Sequence, residues 1–447
     1  MRRESCIRNR RAVRLKRPPN PPFTDSLMKT PTLLSCLLLI AACGDDIAPP
    51  NGDVGPRRDT NEPEDVQEDD VTEGDVPTDM VMEDTYDPEV PCEAETFDIG
   101  TDPIARARAV SSAATSRGFV FGWGDAATVR EQVRTAELAV GAVEPMVRYL
   151  TDDDSSARDV RIADGFAIWL DDGGDGANLL VRGSNTTSTS PPLRVISGST
   201  GRHASPQLIK TESGWLAGWL REDGDVYRLE TRAFDNEGEE SITTYDWEVG
   251  SSSMSMAVAD GHEYFAWAAD GDVYLAVVTG GEITQAPTVI SSQSNATGEV
   301  SIAFGQGFGV VSFGVLIESV RREIRVRLMN EEGAPVRPEQ VVSRAPLRGR
   351  MPNAAAYAGG YVIAYRASNV MNEHHVRVAF VHGSDGDVVA EYNLGDGPFD
   401  GGAAGISVDS EGGLGVGWAN VEGASGTRMR AARMECDGAW LRCGVMP

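Results

Sequence analysis

Five histidines (His203, His262, His374, His375 and His382) and a large excess of carboxylates are the side chains available for proton transfer or metal binding. None falls into a His-Glu-x-x-His zinc motif, and the chain has no Gly-x-Ser-x-Gly elbow and no phosphate-cradling Walker loop. The run Asp-Asp-Gly-Gly-Asp-Gly at 171–176 offers Asp171, Asp172 and Asp175 as oxygen ligands for calcium. It lacks the alternate spacing and the closing Glu of an EF-hand loop, so a hairpin turn is the simpler reading. No metal site is assigned, and calcium is the one cofactor left open. Two longer polar stretches, 317–322 and 368–375, bring Arg321, Arg322, His374 and His375 to corresponding turns. Together they would make a basic ligand-binding patch, with an affinity that falls with salt and as pH rises through histidine titration near about 6.5.

Of the six cysteines, three sit in or after the ordered part of the chain: Cys92, Cys436 and Cys443. Cys92 with either Cys436 or Cys443 would close the chain end to end, and a local Cys436–Cys443 loop is the alternative. No His or Cys partner stands at zinc-ligand spacing beside them.

These residues must be positioned by a repeat that runs through about 95–447. Its phrase is a Gly, an aromatic, alternating small apolar residues and a closing aromatic. The closing residues are Trp123, Trp169, Trp219, Trp267, Phe313, Tyr365 and Trp418, spaced 46, 50, 48, 46, 52 and 53 apart. Alternation in twos is the signature of strands. In the third unit 206–210, 215–220, 226–234 and 242–248 read as four strands with an Asp223-Gly224 turn between the second and third. Four antiparallel strands per unit of this length predict a β-propeller blade, and seven units predict an all-β, seven-bladed propeller. The closing aromatics then fill the wedges between blades. The turn between second and third strands emerges on one face of the ring in every blade.

The units resemble the Gly-Gly-Phe-Val-Val-x-Trp … Val-x-x-Arg-x-Phe-Asp-x-x-Gly repeats of large secreted bacterial surface proteins, with 228–238 and 325–333 carrying the second half well. The resemblance implies an architecture, since such repeats serve unrelated roles.

Near the N-terminus a Lys precedes about ten apolar residues that end in Ile40-Ala-Ala-Cys43. That run is too short to span a bilayer and resembles the bacterial lipobox, whose Cys thiol receives a diacylglycerol and becomes the mature N-terminus. The resemblance implies lipidation at Cys43, removal of a signal peptide at 28–42, and anchoring in the cell envelope, with outer membrane preferred over inner. Residues 1–27 carry a basic, Pro-rich stretch that fits a start codon assigned too early or a long n-region. From Gly44 to Pro91 there are 17 acidic residues, seven Pro and two Arg, so 43–91 is expected to be a disordered acidic linker ahead of the propeller at 92–447.

The chain has 447 residues, 68 acidic against 40 basic side chains and a net charge of −28, which argues against nucleic-acid binding. Two functional classes remain. One is a membrane-anchored, monomeric, non-catalytic module that binds a protein or a glycan; the other is a polysaccharide hydrolase or lyase that uses carboxylates on a propeller face. The absence of nucleophile motifs and the scarcity of His favour binding.

Overall fold

The computed structural model describes Cys92–Cys436, except 105–108, 126–131, 152–156, 172–177, 184–193, 198–200, 236–237, 239–240, 306, 318–320, 344–346, 370–373, 398–401 and 422–426. Cys43, Cys443, Asp172, Asp175, the signal-peptide and linker segments therefore lie outside the described residues.

Every regular element among the described residues is a β-strand, and the strands form seven four-stranded antiparallel sheets. Each sheet is a blade, and in six of the seven the strands follow in chain order from the centre outwards. The inner strands of blades one to seven are Val110–Thr115, Ala157–Ala163, His203–Lys210, Met254–Ala259, Ala296–Phe304, Arg348–Tyr357 and Gly405–Val408. Each inner strand touches the inner strand of the next blade, and the seventh returns to the first, so the sheets close into a ring. Closure packs both faces of every blade, where the two ends of an open stack would each leave one exposed.

The last blade departs from chain order. Its second and third strands are Gly413–Val421 and Thr427–Cys436, but its outer strand is Cys92–Ile104 from the beginning of the domain. Cys92, which the sequence places just ahead of the first blade, opens the outer strand of the last. The two ends of the propeller are hydrogen-bonded in one sheet, with Cys92 opposite Cys436 and a disulfide joining them.

The repeat's aromatics occupy the wedges. Trp123, Trp169, Trp219, Trp267, Phe313, Tyr365 and Trp418 are all buried, in apolar clusters that draw on adjacent blades. Burying a side chain of this size stabilises each wedge by about 1.5–3 kcal/mol. The small residue that precedes the closing aromatic has its own reason. A Cβ on Gly122 would stand 2.3 Å from the Ile162 side chain of the next blade, which would have to shift to make room for it.

Bulges complete the design. In blades two, three and six the residue pairs Asp159–Val160, Ser205–Pro206 and Met351–Pro352 stand opposite the single aromatics Trp169, Trp219 and Tyr365. Asp159, Ser205 and Met351 take positive φ (52°, 49° and 53°), the left-handed backbone of one residue in a bulge. The first strand of blade three therefore begins at His203, earlier than the unbroken alternation from Pro206 predicts.

Candidate site in the channel lining

One register position, directly opposite the residue before the closing aromatic, recurs on every inner strand. It is filled by Ser111, Arg161, Gln207, Ser255, Ser301, Asn353 and Gly405. Most of these side chains stitch their blade to the next. Ser111 Oγ accepts the Ile162 N–H at 3.0 Å, Ser255 Oγ that of Ile302 at 3.1 Å, and Ser301 Oγ that of Ala354 at 3.0 Å. The two amides donate instead: Gln207 Nε2 to the Met254 carbonyl at 3.1 Å, Asn353 Nδ2 to the Ala404 carbonyl at 3.2 Å. Gly405 explains itself by proximity. A Cβ there would lie 2.8 Å from the Val110 carbonyl oxygen, and the two backbones bond directly through Val110 N–H to Ala403 C=O at 3.1 Å.

Arg161 is the exception in this belt. Its Nη1 donates to the carbonyl of its own neighbour Val160 at 3.1 Å. Burial pushes the guanidinium below the usual arginine range, with the nearby Asp159 carboxylate acting the other way. The side chain is half-buried.

The charge of the described inner strands runs against that of the chain, although one of their cations, Lys210, lies with its Nζ 3.7 Å over the Trp215 ring. The seven inner strands carry Arg158, Arg161, Lys210, Arg348 and Arg350 against only Asp159 and Glu299. Glu299 is already engaged, 3.5 Å from Arg322 Nη1 and accepting the Met351 N–H at 2.8 Å. Arg158 and Arg161 stand opposite Leu170 and Ile168, which pack in the cluster shared with blade three. On blade six, Arg348 and Arg350 face Ser368 and Arg366, with His374 opposite Ser368 in turn. Arg350 is exposed, and neither Arg348 nor Arg350 makes an ion pair among the described residues. Blades two and six are three steps apart, the widest separation that a seven-membered ring allows, so the arginine pairs 158/161 and 348/350 stand nearly across the ring from each other.

The four residues expected to form one basic patch are distributed differently. Arg321 lies 2.5 Å from Glu323, on the side of its blade that packs toward blade four. Arg322 turns the other way, toward blade six, onto Glu299. His375, opposite Ala367, faces the same cleft as Arg322. His374 faces blade seven, with its Nε2 3.0 Å from Arg366 Nη2. Register parity, which sends successive residues to opposite faces of a strand, separates each adjacent pair. The sequence reading missed Arg158, Arg161, Arg348 and Arg350; the signal available was an Arg at the head of a first strand in units two and six.

Asp171 ends the second strand of blade two, opposite Ala157 and Asn178. Among the described residues no group of three or more His, Cys, Asp or Glu side chains is arranged to hold a metal ion.

No protein-family model matches the chain and no curated protein matches it. Solved structures do. A protein of unknown function from Dyadobacter fermentans DSM 18053 is 11% identical, over 78% of this chain and 100% of that one, at a TM-score of 0.46. Polysaccharide lyase Uly1 is 9% identical, over 76% and 99%, at 0.47. An ulvan lyase of polysaccharide lyase family PL25, bound to -[GlcA(1-4)Rha3S]-, is 10% identical, over 74% and 94%, at 0.49. The likeness is one of overall shape. At these identities it carries no residue role across.

Proposed function

We propose that the protein is a lipid-anchored envelope protein whose propeller binds an anionic glycan in its channel. The observation that carries this reading is the excess of basic over acidic residues on the described inner strands of a chain with a net charge of −28. A fixed positive lining inside an acidic shell selects for a ligand thin enough to enter and negative enough to be held, since buried or half-buried charge is screened far less than surface charge. A linear polyuronate or sulfated polymer has both properties. The lipobox-like run ending at Cys43 and the acidic segment after it support a tethered display in the cell envelope.

The test is calorimetric titration of the full chain with polygalacturonate and with neutral dextran at two salt concentrations. Saturable binding of the anionic polymer alone, weakened by salt, supports the reading. Equal affinity for dextran, or none for either, ends it. Preference for an acidic peptide over both polymers would move the ligand to the protein class.

A further inference from the structure

The belt on the inner strands has a regular hydrogen-bond logic, and blade two breaks it by placing an Arg where three other blades place a Ser. In antiparallel pairs, hydrogen-bonded and non-hydrogen-bonded positions alternate, so every second inner-strand residue turns its N–H away from its own blade. Ile162, Ile302 and Ala354 are such residues, and each reaches a Ser Oγ of the preceding blade. Leu208 of blade three is their equivalent. Thr211 N–H bonds to the Gly214 carbonyl at 2.9 Å, and counting back along the ladder through Lys210 and Ile209 makes Leu208 a position whose N–H points away from its own blade.

The belt residue of the preceding blade is Arg161, and a guanidinium has five N–H donors and no acceptor. Where three other blades present a Ser hydroxyl to this N–H, blade two presents more donors. Arg161 is folded back onto the Val160 carbonyl, which keeps its head at the inner edge. Asp159 is the nearest acid and acts on Arg161 through space, but it makes no ion pair with it among the described residues. Arg158 lies on the same side of the strand, two ladder positions away.

We propose that Arg161, with the Leu208 N–H, forms an oxyanion subsite between blades two and three that takes a single carboxylate or sulfate group. The proposal rests on the reading of the channel as an anionic-glycan site and adds to it one chemical position: the place where a charged substituent is read. A planar carboxylate can accept two guanidinium N–H bonds side by side, and a third from the backbone fixes its orientation. The remaining belt residues are uncharged, so the subsite breaks the sevenfold symmetry of the channel and gives a threaded ligand one register.

The test uses the full chain with sodium sulfate and sodium glucuronate as separate probes, at constant ionic strength set with chloride, followed by thermal unfolding and calorimetry. Saturable stabilisation by one or both probes is expected. Arg161→Ser should weaken the response about ten-fold or more, the scale of a lost charge-assisted hydrogen bond. That variant is expected to fold, because Ser is the residue at 111, 255 and 301 and would restore an acceptor for Leu208 N–H; an unchanged near-ultraviolet circular-dichroism spectrum checks this. Asp159→Asn keeps the positive φ accessible and removes the competing carboxylate, so it should tighten probe binding. Probe responses unchanged in Arg161→Ser, or absent from the parent, overturn the subsite. Sulfate and glucuronate distinguish the two ligand chemistries. Failure of the wider reading looks different: polygalacturonate would not bind the parent, whatever the small anions do.

Discussion

Cys92 and Cys436 face each other across neighbouring antiparallel strands of blade seven, and a disulfide joins them across a sequence separation of 344 residues. The bond therefore locks the one sheet that is assembled from both ends of the domain. A propeller held only by non-covalent pairing at that seam can open there first, because the outer strand has no covalent tie to the blade it completes. Cys92→Ser is expected to lower stability by about 2–5 kcal/mol and to make unfolding begin at the seam. Urea unfolding of parent and variant, with hydrogen exchange of 92–104 against 427–436, measures both effects. Peptide mapping without reductant should recover Cys92 and Cys436 in one fragment.

The serines of the inner belt should be costly to remove although they are small. Ser255→Ala and Ser301→Ala each strand an inward-facing N–H, that of Ile302 and that of Ala354. Each is expected to cost about 1–3 kcal/mol, read from the shift of the urea midpoint. The same measurement on Arg161→Ser should show no loss, because that change adds an acceptor.

Glu263 gives a pH dependence of known sign. It sits on the second strand of blade four, opposite Val258 and Val278, and its Oε2 is buried without a hydrogen-bond partner. Burial raises its pKa, and a hydrogen bond from Tyr245 offsets only part of that; burial and the Glu263 charge push Tyr245 itself up to about 12. With the folded value above the unfolded one, Glu263 makes no difference to stability below the ordinary carboxylate range. As pH rises through that range the unfolded chain loses its proton first, and stability falls until the raised folded pKa is passed. Glu263→Gln should match the parent at low pH and become the more stable protein towards neutrality. Urea midpoints across that interval measure the difference.

Two pairs of arginines should separate the channel from the outer turns. Arg348→Ser with Arg350→Ser removes charge that no acid offsets among the described residues, and affinity for polygalacturonate should fall about ten-fold or more. Arg321→Ser with Arg322→Ser removes charges already matched by Glu323 and Glu299, so the loss should be smaller. Calorimetry of both double variants at one salt concentration compares them directly.

The architecture was legible in the spacing of seven aromatics, because a wedge between sheets must be filled once per blade by something large and a strand must alternate to have a buried face. The third unit shows how far this goes: its second and third strands, Trp215–Asp223 and Val226–Phe234, lie where the alternation puts them. The channel chemistry was not legible. Strict alternation places Arg158 and Arg161, three residues apart, on opposite faces. The bulge at Asp159–Val160 absorbs one residue and returns both to the same face, opposite Leu170 and Ile168. Likewise nothing local in 92–104 says which blade it completes; hydrogen bonding to the strand that ends at Cys436 decides that. Sequence by itself fixes what repeats, because the periodicity of burial is written in residue types. Tertiary structure alone settles which residue of each repeat meets which neighbour, because register, bulges and ring closure are properties of strands in pairs.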